Sequence, residues 1–94
     1  MGAEDSLLAL KNLGPRSVAW LRAANITSAG ELRKIGAVAA YLRVREAGFR
    51  PSANLLYALA GALAGVHWNR LPKAERSRLL LELDAAEQAR RAHS

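Results

Sequence analysis

Ninety-four residues with a formal charge of +6 and no cysteine make one domain. They exclude a disulfide framework, a thiolate metal site and a thiol nucleophile. The apolar 51% is mostly Ala and Leu, with only five aromatic residues, so the chain is built for helices and lacks the usual material of a β-sheet.

In chain order, the acidic start Met1 to Asp5 does not suit a secretory leader. The apolar run Leu7 to Leu10 is too short for a signal-peptide core, and a cytoplasmic protein is expected. Ser6 N-caps a first helix running to about Asn12, with Leu7, Leu10 and Leu13 on its apolar side. Gly14-Pro15 breaks it, and Pro15 suits the first position of the next helix, where its missing N–H costs nothing. That helix turns Val18, Leu21 and Trp20 inward and reaches about Ala24, with Asn25 as a left-handed cap. Ser28-x-x-Glu31 has the capping-box pattern and opens a third helix that ends near Ile35, before Gly36. A fourth spans about Ala37 to Ala47, with Val38, Tyr41 and Leu42 at helical spacing and Gly48 behind it.

Ser52 caps the fifth helix, whose Leu55, Leu56, Leu59 and Leu63 are placed in the core. The uncharged stretch Pro51 to Val66 has 16 residues, whereas a bilayer needs about 20, so it is read as the central core helix and no membrane contact is expected. Trp68 is expected to plug the gap between the last two helices, and His67 to cap a turn. The last helix begins near Pro72, carries Leu79, Leu80 and Leu83 inward, and frays from Gln88 onward. The expected fold is all-α, a compact domain of five or six helices over residues 1–94, with its core at about 6–87. Leu10-x-x-Leu13-Gly14 recurs as Leu32-x-x-Ile35-Gly36, which gives the first half a helix-hairpin-helix character.

Charge is unevenly spread. Residues 6–74 hold ten basic residues against Glu31 and Glu46, a net of +8, while residues 75–94 hold four Arg and four acids. Eleven of the fourteen basic residues are Arg, the better bidentate phosphate donor. The first hairpin is the best-defined candidate site. Gly14 allows close backbone approach, the helix start behind it offers free N–H groups and a positive dipole end, and Arg16 and Ser17 add donors. Arg22, Arg33 and Lys34, with Arg43 and Arg50, extend this into a basic face. The competing reading is an ordinary helical corner beneath solvated charges. Leu81 lies on the far side of the last helix from Leu79 and Leu83, where a monomer would expose it, and is the candidate protein interface. No carboxylate pair, Ser-His-Asp set or nucleotide loop is present, and the second histidine, His93, lies far from His67. No enzyme activity, metal, cofactor or small-molecule substrate is expected.

The segments Leu10 to Ser17, Trp20-Leu21, Ala37 to Phe49, Asn54 to Leu59 and His67-Trp68-Asn69, in this order and spacing, resemble the C-terminal domain of TfoX/Sxy-type competence regulators. The resemblance covers about Ser6 to Leu83. It implies a compact helical fold of helix-hairpin-helix type and a regulatory, non-catalytic role. The first hairpin is also similar to the C-terminal domain of the RNA polymerase alpha subunit, which binds DNA and activators. Full-length regulators of the family carry an additional N-terminal domain that this sequence does not include. The expected function is therefore a module contacting DNA or a DNA-bound transcription complex. The alternative is a protein-interaction module, such as a weak homodimer, with no nucleic-acid contact.

Overall fold

The computed structural model of the chain describes residues 6–92. Among them there are four α-helices and no strand. They are α1 (Pro15–Ala23), α2 (Ala29–Glu46), α3 (Ala53–Ala64) and α4 (Lys73–Ala92), with short 3-10 turns at Leu7–Ala9 and Trp68–Arg70. No helix among the described residues is long and apolar enough to cross a membrane.

Local chemistry sets most of the boundaries. Pro15 opens α1, and Asn25 takes a left-handed φ of 70° just beyond it. Ser28 Oγ accepts the Glu31 N–H at 3.1 Å, as a capping box requires. The return bond goes one residue earlier than expected, because the Glu31 carboxylate accepts from the backbone N–H and the hydroxyl of Thr27. Those two bonds hold the Glu31 carboxyl below the usual carboxylate range, the Thr27 hydroxyl contributing most. Ser52 stands at the N-cap of α3 but makes no side-chain capping bond.

Four α-helices replace the expected five or six. The first expected helix is only the turn at Leu7–Ala9, although Ser6 does cap it through the Leu8 N–H. It stops early because Leu10 already takes an extended backbone (φ −80°, ψ 143°), and beyond it Asn12 takes a left-handed φ of 72° and turns its side chain to distant partners. A single turn cannot serve as the first arm of a helix-hairpin-helix unit, so that character is not seen at the Gly14 corner. The third and fourth expected helices are two segments of α2 that meet at Gly36, whose φ of 85° and ψ of 169° are not helical.

Gly36 and Gly14 thus differ in kind. The Gly36 backbone lies in a region that side chains essentially forbid, so Gly36→Ala is expected to destabilise by about 1–3 kcal/mol. Gly14 has a φ of −93°, open to any residue, and a Cβ built there meets nothing within 4 Å. At Gly14, the N-cap of α1, alanine meets no obstacle and forfeits only the N-cap preference for glycine, so Gly14→Ala is expected to cost less, at most about 1 kcal/mol. Urea unfolding of both variants checks the contrast, and equal losses would contradict it.

The core forms where α2 packs across α3, with α1 laid against α2 and α4 against both. Leu21, Ile26, Leu32, Val44, Leu56 and Leu59 are wholly inaccessible. Leu63 is only half-buried and lines a shallow apolar cleft of about 530 Å³ with Val38 and Leu79. In α4, Leu79 and Leu83 are buried, but Leu80 is 43% exposed instead of turned inward. Three consecutive leucines span 200° of a helix, so they cannot all face one core. The end of α4 is helical to Ala92, and Arg90 pairs there with Glu46.

Candidate functional site

The segment ahead of α1 is held in place by one side chain. Asn12 donates through Nδ2 to the carbonyls of Val66 (3.0 Å) and Ala58 (3.4 Å), and its Oδ1 accepts the Trp68 N–H at 3.0 Å. These bonds tie the approach to α1 onto the end of α3 and the turn at Trp68. They are possible because α3 carries Gly61 at the crossing. A Cβ on Gly61 would lie 2.7 Å from Asn12 Nδ2 and 2.8 Å from the Val66 carbonyl oxygen.

The tether places Trp68 at the surface, 36% exposed, and this corrects its expected role as a buried plug. The wedge at this position is Arg76. Its guanidinium lies 5.4 Å from the Tyr57 ring centre and 5.8 Å from that of Trp68, and its Nη2 donates to the Trp68 carbonyl oxygen at 3.3 Å. Arg76 Nε is buried without a partner. His67 does cap its turn, accepting the Asn69 N–H at Nδ1. Among the described residues no group of His, Asp and Glu could hold a metal ion; His93 lies outside them.

Between α1 and α3 this arrangement leaves a groove of about 320 Å³, whose lining includes Arg16, Ser17, Trp20, Ser52, Asn54 and Trp68. Two helix starts meet in it. Pro15 has no N–H, and the first helical bond of α1 is Val18 N–H to the Gly14 carbonyl. The Arg16 and Ser17 N–H groups therefore have no acceptor among the described residues. The start of α3 repeats this, because its first such bond is Leu55 N–H to the Ser52 carbonyl and Ser52 does not cap it. Residues of both helix starts thus line one concavity, and a helix start carries unpaired donors and a positive dipole end. The Arg16 guanidinium lies 5.8 Å from the centre of the Trp20 ring, and Trp20 in turn stacks on Phe49 at 5.4 Å.

Of the candidates read from the sequence, Gly14, Arg16 and Ser17 sit together at the α1 start. Arg22 is at the other end of α1, and Arg33 and Lys34 are on α2; none of these three lines the groove. Ser52, Asn54 and Trp68 belong to it, and sequence reasoning missed them. The helix start at Ser52 was legible, with Ser52 expected to cap it, but the missing cap and its place in one groove with Arg16 and Ser17 depend on the tertiary fold.

The four ion pairs among the described residues all involve α4. They are Arg45–Glu87, Arg78 with both Glu75 and Glu82, and Arg90–Glu46. Arg45 leans over the Tyr41 ring as it reaches Glu87, as expected for a stem lying along the core edge. Arg16, Arg22, Arg33, Lys34, Arg43 and Arg50 have no acidic partner at ion-pair distance among the described residues. The positive charge of the first half is therefore not neutralised internally. Leu81 is 71% exposed.

The family model for the TfoX C-terminal domain matches residues 3–83 of the chain. No curated protein shows significant similarity to it. Two crystal structures from Listeria monocytogenes are similar. One, an uncharacterized protein in a triclinic form, is 32% identical with a TM-score of 0.78 over 86% of this chain and 92% of that one. The other, a protein of unknown function in a tetragonal form, is 32% identical with a TM-score of 0.73 over 82% of this chain and 99% of that one.

Proposed function

From its membership of the TfoX C-terminal domain family, to which the chain belongs, we propose that this regulatory-type module acts by contacting DNA, alone or in a DNA-bound transcription complex, as part of competence-type control. The family is non-enzymatic, and a cytoplasmic setting is part of the same reading. The observation that carries the proposal is the convergence of two uncapped helix starts beside Arg16 in one groove. Unpaired N–H groups, dipole ends and a guanidinium are what a phosphate oxygen needs. The unpaired cations of α1 and α2 supply the long-range attraction.

Binding of labelled duplex DNA at several salt concentrations tests this. Arg16→Ala should weaken binding to all sequences alike, since a phosphate contact carries no base information. It should also reduce the slope of log affinity against log salt by about one unit. Gly14→Val should weaken binding well beyond its effect on folding, because its Cβ enters open space and the lost N-cap preference costs only about 1 kcal/mol. If wild type and Arg16→Ala bind alike at low salt, or neither binds, the hairpin is a structural corner. A second reading, a protein-interaction module without nucleic-acid contact, is supported by the exposure of Leu81.

A further inference from the structure

On α4 the exposed side is patterned along its length. Lys73 and Asp84 make no ion pair with any described residue, although Asp84 accepts a hydrogen bond from Gln88. They are three turns apart, about 16 Å along the axis, and lie within about 20° of each other around it. The same face carries the exposed apolar side chains Leu80 and Leu81, 43% and 71% accessible, and the small residues Ala74 and Ser77. The helix thus presents a free cation near one end, a free anion three turns on, and two leucines beside two small residues.

That order is complementary to itself when reversed. We propose that this face of α4 is an interface for a second copy of the chain, with the two α4 helices antiparallel about a twofold axis near Arg78. Lys73 of each copy then faces Asp84 of the other. Leu80 and Leu81 of each fall into the space that Ala74 and Ser77 leave on the other. A parallel pairing would oppose like charges and set leucine against leucine. With Lys73 opposite Asp84 the two helices overlap over residues 73–84, a strip about 18 Å long, which gives an interface below the roughly 1,200 Å² of a stable complex, so the dimer is weak and concentration-dependent. The proposal stands apart from the nucleic-acid reading, since neither α4 nor these residues line the groove at Gly14.

Analytical ultracentrifugation of the free protein from about 10 μM to 1 mM, a span that covers weak complexes, tests it. The wild type should pass reversibly from monomer to dimer. Leu81→Glu should raise the dissociation constant by at least about tenfold, as loss of one buried contact does. Lys73→Glu and Asp84→Lys should each weaken the dimer, and the double swap should restore it. All these positions are exposed, so melting curves should be unchanged. A wild type that stays monomeric throughout overturns the proposal, as does a dimer indifferent to Leu81→Glu. A dimer that both single swaps leave unaffected, or that the double swap does not restore, overturns the antiparallel pairing. DNA binding is read separately and can persist or fail without bearing on the result.

Discussion

Leu59→Ala is expected to lower the unfolding free energy by about 2–5 kcal/mol, the range for a large-to-small change at a site that cannot collapse. Leu59 is wholly inaccessible and sits in the helix that α2 and α4 both pack against. Removing its branched end deletes apolar contacts and leaves a void that the surrounding backbones hold open. Urea unfolding followed by circular dichroism measures the loss. Leu81→Ala serves as the control, and an exposed site of that kind should move stability by no more than about 0.5 kcal/mol. A loss below about 1 kcal/mol at Leu59 would mean that this core is packed differently.

Gly61→Ala should also destabilise strongly, although alanine is the better helix former. Two of the atoms its Cβ meets, the Val66 carbonyl oxygen and the Trp68 Cα, are backbone, and a clash with backbone is not relieved by a rotamer change. The third, Asn12 Nδ2, can withdraw only by giving up its bonds to Val66 and Ala58. Overpacking of this kind costs about 1–3 kcal/mol, and stranded polar groups add about 1–3 kcal/mol. A double-mutant cycle with Asn12→Ala separates the two contributions. Gly61→Ala should cost less when Asn12 is already truncated, because one of the three collisions is gone. Strict additivity would show that the tether and the glycine do not share one contact.

The contrast between Leu59 and Gly61 also shows what the sequence could reveal. Leu59 was legible, because a leucine amid an uncharged, Ala-rich helix has nowhere polar to face. Helix punctuation was legible for a similar reason. Pro15, Asn25, Ser28, Gly36 and Gly48 act through their own backbone or through neighbours three or four residues away. Asn12 was not legible, since its partners lie 46 to 56 residues on and its left-handed backbone looks locally like the end of a helix. Trp68 was misplaced by the same omission. Leu63 was assigned to the core on hydrophobicity alone, and only the packing of α2 against α3 decides which side of an all-apolar helix stays open; Leu80 was assigned inward although it adjoins Leu79 and Leu81 on α4. Part of the candidate groove could be read in advance, Arg16 and Ser17 at the start of α1. The part at Ser52 and Asn54 required the tertiary fold.

That every ion pair among the described residues has a partner on α4 has an orienting effect. Residues 6–74 carry a net +8 and residues 75–92 four acids and four Arg, so the centre of positive charge does not coincide with the centre of mass. In the field of any polyanion such a body experiences a torque as well as an attraction. It turns before it touches, with α1 and α2 leading and the charge-balanced residues 75–92 trailing. Salt shortens the range of that torque to the Debye length, about 8 Å at physiological ionic strength. The pairs on α4 thus do more than tie side chains together: by cancelling charge in one region only, they give the molecule a front and a back.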